Sequence, residues 1–247
     1  INIIANALAN KFKDGGEIVV SELEHHSNYL PWLQICNKSN LDLKIIPIDK
    51  NGVIDEKQII SNCSKNTKVL AITHMSNTTG QIIDLNFIRK SISNDTLIAV
   101  DGCQSIAHSE IDVQKMDCDF FSFSSHKIYG PSGVGILYGK ESLLEELEPS
   151  SVGGGMINQV NVNDFSYAML PNKFEAGTPP IEAVVGFSAA IDYVKSINLK
   201  SFFDKEKNLR SDLIKALKDT SDIEIYGSDP SLDASSIVSF NLSGHNY

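Results

Sequence analysis

The chain lacks most of what would place it in several large protein classes. Its 247 residues include only four cysteines, at positions 36, 63, 103 and 118. No two of them are spaced C-x-x-C, so neither a disulfide framework nor a zinc site is indicated. Positive charge is also scarce, with 21 Lys and Arg against 31 Asp and Glu for a net charge of −10; a nucleic-acid partner, which calls for a basic face, is not expected. No apolar run approaches the roughly eighteen residues needed to span a bilayer, and no charged-then-apolar leader opens the chain. Internal repeats, low-complexity tracts and long linkers are missing too. Asn-x-Ser/Thr triplets such as Asn77-Thr78-Thr79 are no commoner than chance in so Asn- and Ser-rich a chain. What remains is 42% apolar and 21% charged residues, the composition of a soluble cytoplasmic protein with a sizeable core in one large domain plus part of a second.

Strand-like runs alternate with helical patterns. Ile1, Ile4, Leu8 and Phe12 are spaced for a helix, and Ile18 to Val20, Leu43 to Ile48, Val69 to Thr73, Leu97 to Val100, Asp119 to Phe123 and Val134 to Tyr138 read as strands. Asp84 reads as the N-cap of a helix with Leu85, Ile88 and Ile92 on one face. The alternation predicts an α/β fold with a mostly parallel central sheet covered by helices on both faces. Thr178-Pro179-Pro180 is expected to start a helix to about Val194 with Thr as N-cap. A helix marked by Leu209, Leu213 and Leu217 and strands Ile223 to Tyr226 and Ile237 to Leu242 follow. Pro149 to Asn172 is expected to be a long polar loop, mobile or dimer-facing. The predicted division is a large domain over 1–178 and the beginning of a small α+β domain over 179–247.

Two motifs carry chemistry. In Ser124-Ser125-His126-Lys127-Ile128-Tyr129-Gly130-Pro131-Ser132-Gly133 one lysine sits among hydroxyls, an imidazole and a glycine-rich turn, directly after an apolar strand. Hydroxyls, imidazole and free N–H groups suit a phosphate, and a lysine in an apolar pocket can lose its proton and attack a carbonyl. The two needs coincide where pyridoxal phosphate is held on a lysine. In Leu97 to Gln104 an apolar strand ends in Asp101 and a glycine, which delivers a carboxylate to the sheet edge where α/β ligands bind. A carboxylate there can keep a pyridine nitrogen protonated. The adjacent pair His25-His26 does not suit a metal, since neighbours at i and i+1 rarely face one ion and no third ligand stands out. One imidazole stacked on a planar cofactor is the preferred reading.

EHHSN with Pro31-Trp32, THMSNTTG from Thr73, VDGCQS from Val100, the segment Asp117 to Tyr138, the run Gly153-Gly154-Gly155-Met156-Ile157 and Phe174-Glu175-Ala176-Gly177-Thr178-Pro179 occur in one order. Together they resemble the class V aminotransferase family of fold-type I pyridoxal phosphate enzymes, and within it most closely the group II, SUF-type cysteine desulfurases and selenocysteine lyases. The resemblance runs the length of the chain. It implies that Lys127 binds the cofactor aldehyde and later shuttles the substrate Cα proton, and that Asp101 pairs with the ring nitrogen. Gln104 is implied to donate to the ring phenolate oxygen, His25 to stack on the ring, Ser124 and His126 to hold the phosphate, and Asn77 to sit over the cofactor and help bind the substrate carboxylate. Thr178 is implied to reach the phosphate of the other subunit in a homodimer.

The implied activity is conversion of L-cysteine to L-alanine, with the sulfur passing as an enzyme persulfide to a SUF-type acceptor protein for iron–sulfur cluster assembly, and selenocysteine is a possible second substrate. Such desulfurases carry their nucleophile in an Arg-x-Gly-His-His-Cys-like segment downstream of the residues present here, with a substrate-binding arginine after it. They also use a threonine turn upstream of Ile1. The chain is therefore expected to be an internal part of a longer enzyme and inactive alone. None of its cysteines matches the nucleophile, and Cys103 reads as a small buried residue. Two alternatives stay open: another class V enzyme, such as an aminotransferase or a kynureninase-like lyase, and a chain that has lost function by truncation.

Overall fold

A computed structural model describes residues 1–245. In chain order its elements are α1 (Asn2–Lys11), β1 (Gly16–Ser21), α2 (His26–Cys36), β2 (Leu41–Ile46), α3 (Glu56–Asn62), β3 (Thr67–Thr73), α4 (Leu85–Ser91), β4 (Leu97–Asp101), α5 (Ser105–His108), α6 (Val113–Met116), β5 (Phe120–Ser124), a 3₁₀ turn (Ser125–Ile128), β6 (Gly135–Gly139), α7 (Glu141–Glu146), β7 (Ile157–Val160), β8 (Phe165–Tyr167), α8 (Ile181–Ser196), α9 (Leu199–Lys218), β9 (Ile223–Tyr226) and β10 (Ser239–Leu242). A short second 3₁₀ turn, Asn172–Phe174, precedes α8. The main sheet has the order β2-β1-β3-β4-β5-β6. Its pairs are parallel except the last, where β6 runs antiparallel to β5.

Parity along the strands explains why they read as unbroken apolar runs. Val69 and Ala71 of β3 face a cluster with Ile4 and Leu8 of α1 and Trp32 and Ile35 of α2. Leu70 and Ile72, one residue out of phase, face a second cluster with Ile59 of α3 and Leu85 and Ile88 of α4. A strand covered on both faces cannot alternate with polar residues. Each fully buried side chain of this size contributes roughly 1.5–3 kcal/mol, so the two clusters lock the strand register. The expected cap forms as well: the Asp84 carboxylate accepts from the Phe87 N–H at 2.9 Å.

Two expectations are corrected. Helix α8 begins at Ile181 with Pro180 at the N-cap position and no side-chain cap; Thr178 lies three residues before the first helical residue, too early to reach the free amides of the first turn. Residues 149–172 are not all loop. They contain the hairpin β7–β8, closed by a bond from the Asn161 N–H to the Asp164 carbonyl at 2.7 Å; along β8 Phe165 packs edge-on against Tyr167 at 5.2 Å between ring centroids. Strands this short carry too few residues for alternation to show.

The C-terminal elements are tied to the main sheet's loops by backbone and side chain: Gln81 bridges Ala234, and the Ile82 N–H donates to the Asp233 carbonyl at 2.8 Å. Phe187 and Tyr193 of α8 pack on Phe123 and Tyr129 at 6.2 and 5.5 Å, the His108 Nδ1 lies 3.0 Å from Glu206 of α9, and the Ser239 hydroxyl donates to the Thr78 carbonyl at 2.6 Å. Among the described residues no helix is long and apolar enough to cross a membrane.

Candidate active site

The residues singled out in the sequence converge on the C-terminal edge of the parallel strands. Thr73, the last residue of β3, is in register with Asp101, the last of β4, and Asp101 with Ser122 of β5. Asp101 is buried, and its Oδ1 accepts the Cys103 N–H at 2.9 Å. The turn that follows tolerates only glycine. A Cβ on Gly102 would stand 1.9 Å from Cζ of Phe121, because the Gly102 amide is drawn onto the β5 carbonyl of Ser122 at 2.8 Å. Gln104 comes next as the N-cap residue of α5.

One strand over, the backbone makes the lysine turn. Ser124 ends β5, and the 3₁₀ turn is fixed from beneath: Ser125 is buried, its hydroxyl donates to the Pro131 carbonyl, and its carbonyl accepts the Gly130 N–H at 2.9 Å. Ile128 anchors the turn in the core. Tyr129 closes it at φ +62, a left-handed conformation that a bulky residue adopts only under constraint, here edge-on packing against Tyr193. His126 and Lys127 point away from these anchors and are exposed in the single chain. The expectation of a lysine enclosed in an apolar pocket is thus corrected: the turn's backbone is held through Ser125 and Ile128, and among the described residues no element covers the ammonium.

His25 and Asn77 line one cleft of about 700 Å³ with Glu24, His26, Asp49 and Lys50; Asp101 and Lys127 do not line it. His25 is the N-cap of α2, its Nδ1 accepting the Ser27 N–H at 3.2 Å and lying 3.0 Å from the Ser27 hydroxyl. With Nδ1 accepting, the proton of the neutral ring sits on Nε2. Asn77 is positioned by the turn in which the Ser76 hydroxyl accepts the Thr78 and Thr79 amides. Thr178 is exposed, after Gly177 at φ +94.

One residue was visible only as a letter of the EHHSN motif. Glu24 is buried between β1, α2 and β3 and is held up at about 7, chiefly by burial. A charged letter in a sequence carries no sign of burial, and only the Asn four residues later hinted at a helix-turn partner.

Burial works against thiolate formation at all four cysteines. Cys103, half-buried, is pushed up to about 12 by burial and then by Asp101; burial pushes Cys36, Cys63 and Cys118 up to about 11. A thiol attacks only as thiolate. Among the described residues no group of three or more His, Cys, Asp or Glu side chains could hold a metal.

The donor set suits an anionic, planar ligand with a basic ring nitrogen and a carbonyl: a buried carboxylate at one strand end, an imidazole facing a cleft, hydroxyl and imidazole beside a lysine amine on the next strand. A mostly parallel sheet presenting that set at its C-terminal edge is the α/β architecture of the fold-type I kind. The Aminotransferase class-V family profile matches residues 1–247, and the chain belongs to that family. A cysteine desulfurase of Wigglesworthia glossinidia brevipalpis is 41% identical over 252 aligned residues, covering 100% of this chain and 61% of that protein. Among solved structures, the cysteine desulfurase CsdA of Escherichia coli superposes with a TM-score of 0.88 at 30% identity, over 100% of this chain and 61% of its own. An apo cysteine desulfurase from Thermococcus onnurineus NA1 gives 0.90 at 34% identity, over 99% of this chain and 61% of its own. The chain thus spans about three fifths of these relatives.

Proposed function

We propose that the chain carries the pyridoxal phosphate-binding part of a cysteine desulfurase, with residues 1–178 as the cofactor-binding domain and 179–247 as the opening of a second. The observation that supports it best is the pairing across two adjacent strand ends of a buried carboxylate, Asp101, with a lysine, Lys127, on a backbone-locked turn. Asp101 would pair with the ring nitrogen, Gln104 with the phenolate oxygen, and His25 would cover one ring face. Ser124 and His126 would take the phosphate, with Thr178 reaching the phosphate of a partner subunit in a homodimer, and Asn77 would orient the substrate carboxylate. When bound, the cofactor supplies an electron sink that acidifies the substrate Cα–H. Lys127 would hold the aldehyde carbon until L-cysteine displaces it, and its freed amine would then take the Cα proton. A thiolate would attack the substrate sulfur, forming an S–S bond as the Cβ–S bond breaks with its electron pair left on the substrate; that pair takes a proton at Cβ, and with a proton returned to Cα by the Lys127 amine the product is L-alanine, the sulfur remaining as a persulfide. None of the four cysteines present stands in the family's nucleophile segment, and burial pushes each thiol up; that thiolate would come from the additional length of the relatives. We place the whole enzyme in the cytoplasm, passing sulfur to a SUF-type acceptor for iron–sulfur cluster assembly, with selenocysteine as a second substrate.

Borohydride reduction of the pyridoxal phosphate-loaded chain, followed by peptide mapping, tests the reading. The pyridoxyl group is expected on Lys127; its appearance on Lys140 or Lys115 instead would overturn the assignment. Sulfide release from L-cysteine is expected only from a form extended to the length of the relatives.

A further inference from the structure

The chain has two arginines, Arg89 and Arg210, and the fold buries both. Arg89 has a counter-charge, the equally buried Asp119 carboxylate at 3.8 Å from its Nη1. Arg210, on the buried side of α9 with Ile214, has none. It is 9% exposed, and among the described residues no carboxylate forms an ion pair with it. Two backbone carbonyls hold it instead: its Nε–H donates to Ile237 at 3.2 Å and its Nη2 to Gly227. Those bonds leave the Nη1 donors without a partner among the described residues, and Nη1 is not one of the unpaired atoms sealed from solvent. A cleft of about 400 Å³ opens beside it, between α9 and residues 228–234. Its other charged lining is Lys207, Lys215, Lys218 and Asp233. Asp233 is already paired with Lys207 at 2.7 Å. Lys215 comes no nearer than 3.9 Å to Asp212, with both side chains exposed, a pair worth little. Lys218 makes no ion pair among the described residues. In a chain of net charge −10, Arg210, Lys215 and Lys218 thus share one cleft with no carboxylate to match them.

A guanidinium taken out of water is strongly disfavoured unless an anion faces it. Lys215 and Lys218 lie in the last turn of α9, where cations suit the negative end of the helix; Arg210 stands well before that turn and gains nothing from it. We propose that this cleft binds the phosphate group of a small phosphate monoester, with the Arg210 Nη1 donating to it from the floor and Lys215 and Lys218 supplying charge from the walls. The hydroxyls of Ser211 and Ser228, which also line the cleft, would take the remaining oxygens. A guanidinium edge matches phosphate oxygens in shape, and a dianion balances more than one cation. The volume lies in the lower part of the range for small-molecule pockets, roughly 300–1,000 Å³, and is too small for a folded partner. Burial holds Arg210 below the ordinary arginine range with no carboxylate opposing it, in agreement with the geometry. The bound phosphate would clamp α9 onto residues 228–234. None of these residues belongs to the candidate active site, and the proposal does not rest on the reading under Proposed function.

Nitrogen-15 NMR of the guanidinium groups tests the site without turnover. Two arginines give two Nε signals, and that of Arg210 is assigned by cross-relaxation to Gly227 and Ile237. Titrating the cofactor-free chain with inorganic phosphate, against chloride at matched ionic strength, is expected to shift the Arg210 signal saturably and leave Arg89 in place. Half-saturation is expected on the order of 1 mM, with glycerol phosphate binding at least as well. Lys215 and Lys218 are exposed, so the double variant Lys215→Gln, Lys218→Gln should keep the fold. In it, half-saturation by phosphate is expected to rise at least about tenfold. Acetate in place of phosphate should bind more weakly by a similar factor. The proposal is overturned by the absence of a saturable Arg210 shift, by equal shifts of both arginines, by acetate binding as well as phosphate, or by unchanged binding in the double variant.

Discussion

On the β1–β3–β4 side of the candidate site, Glu24, Asn28 and Asp101 are buried, and Glu24 accepts hydrogen bonds from Ser21 and Asn28 within the chain. On the β5 side, Lys127 and His126 are exposed, and what is held is the backbone of their turn, through Ser125, Ile128 and Tyr129. One side fixes charge by burial; the other fixes only where an amine stands. Substitutions on the first should therefore cost stability and substitutions on the second chemistry, and the variants that separate the two can be ranked.

Lys127→Ala is the extreme case. It is expected to abolish borohydride-trapped cofactor completely while leaving the melting temperature of the cofactor-free chain within about 1–2 °C, since an exposed side chain away from special features contributes under about 0.5 kcal/mol. A large drop in melting temperature would show that the lysine is part of the fold. Gly102→Ala is the mirror image. Its Cβ would overlap the Phe121 ring, and overpacking that cannot relax costs about 3 kcal/mol or more, to be read as a shift of the urea midpoint.

A subtler prediction concerns pH. Glu24, at about 7 against an ordinary 4.5, keeps a proton that the unfolded chain has released, so its contribution to stability falls as pH rises from 4.5 to about 7. His74, at the end of β3, is buried with its Nδ1 unpaired among the described residues, and burial depresses it from 6.5 to about 4. The unfolded chain therefore takes up a proton first, and the histidine's contribution falls as pH drops from 6.5 to about 4. Each slope is worth on the order of 3 kcal/mol across its window, and the two oppose each other between 4.5 and 6.5. Removing one uncovers the other: relative to the parent, stability in Glu24→Gln should rise with pH there, and in His74→Gln it should fall. Parallel curves for parent and variants would refute the burial argument. Trp32→Phe removes the indole bond to the buried Asn28 and leaves a void in the cluster around α2; it should cost about 2–4 kcal/mol, seen as a loss in melting temperature.

The sheet was legible in the sequence because double-sided burial leaves Val69 to Ile72 of β3 and Leu97 to Val100 of β4 wholly apolar, and a strand that ends in Asp101 or in Ser124 announces its edge by the glycine turn that follows. The lysine turn was legible for the same reason. Exposure of Lys127 was not: the sequence shows a residue's neighbours in the chain, whereas exposure depends on whether another element folds over it. Glu24 escaped because its burial depends on the long-range pairing of β1 with β3, while its local partners Asn28 and Trp32 show in the sequence only as spacing. The β7–β8 hairpin was hidden by its brevity, and the missing Thr178 cap by two prolines that set the helix start later than the best capping residue.

The acidity of the cysteines has a practical consequence. With all four thiols protonated far above neutral pH, the folded chain should alkylate slowly with iodoacetamide near pH 7.5, and quickly once denatured. It is thus its own blank for electrophile labelling: in an extended form, a fast-reacting sulfur found by mass spectrometry could be attributed outside these positions without mutating any of them, and rapid modification of the folded chain would report its unfolding.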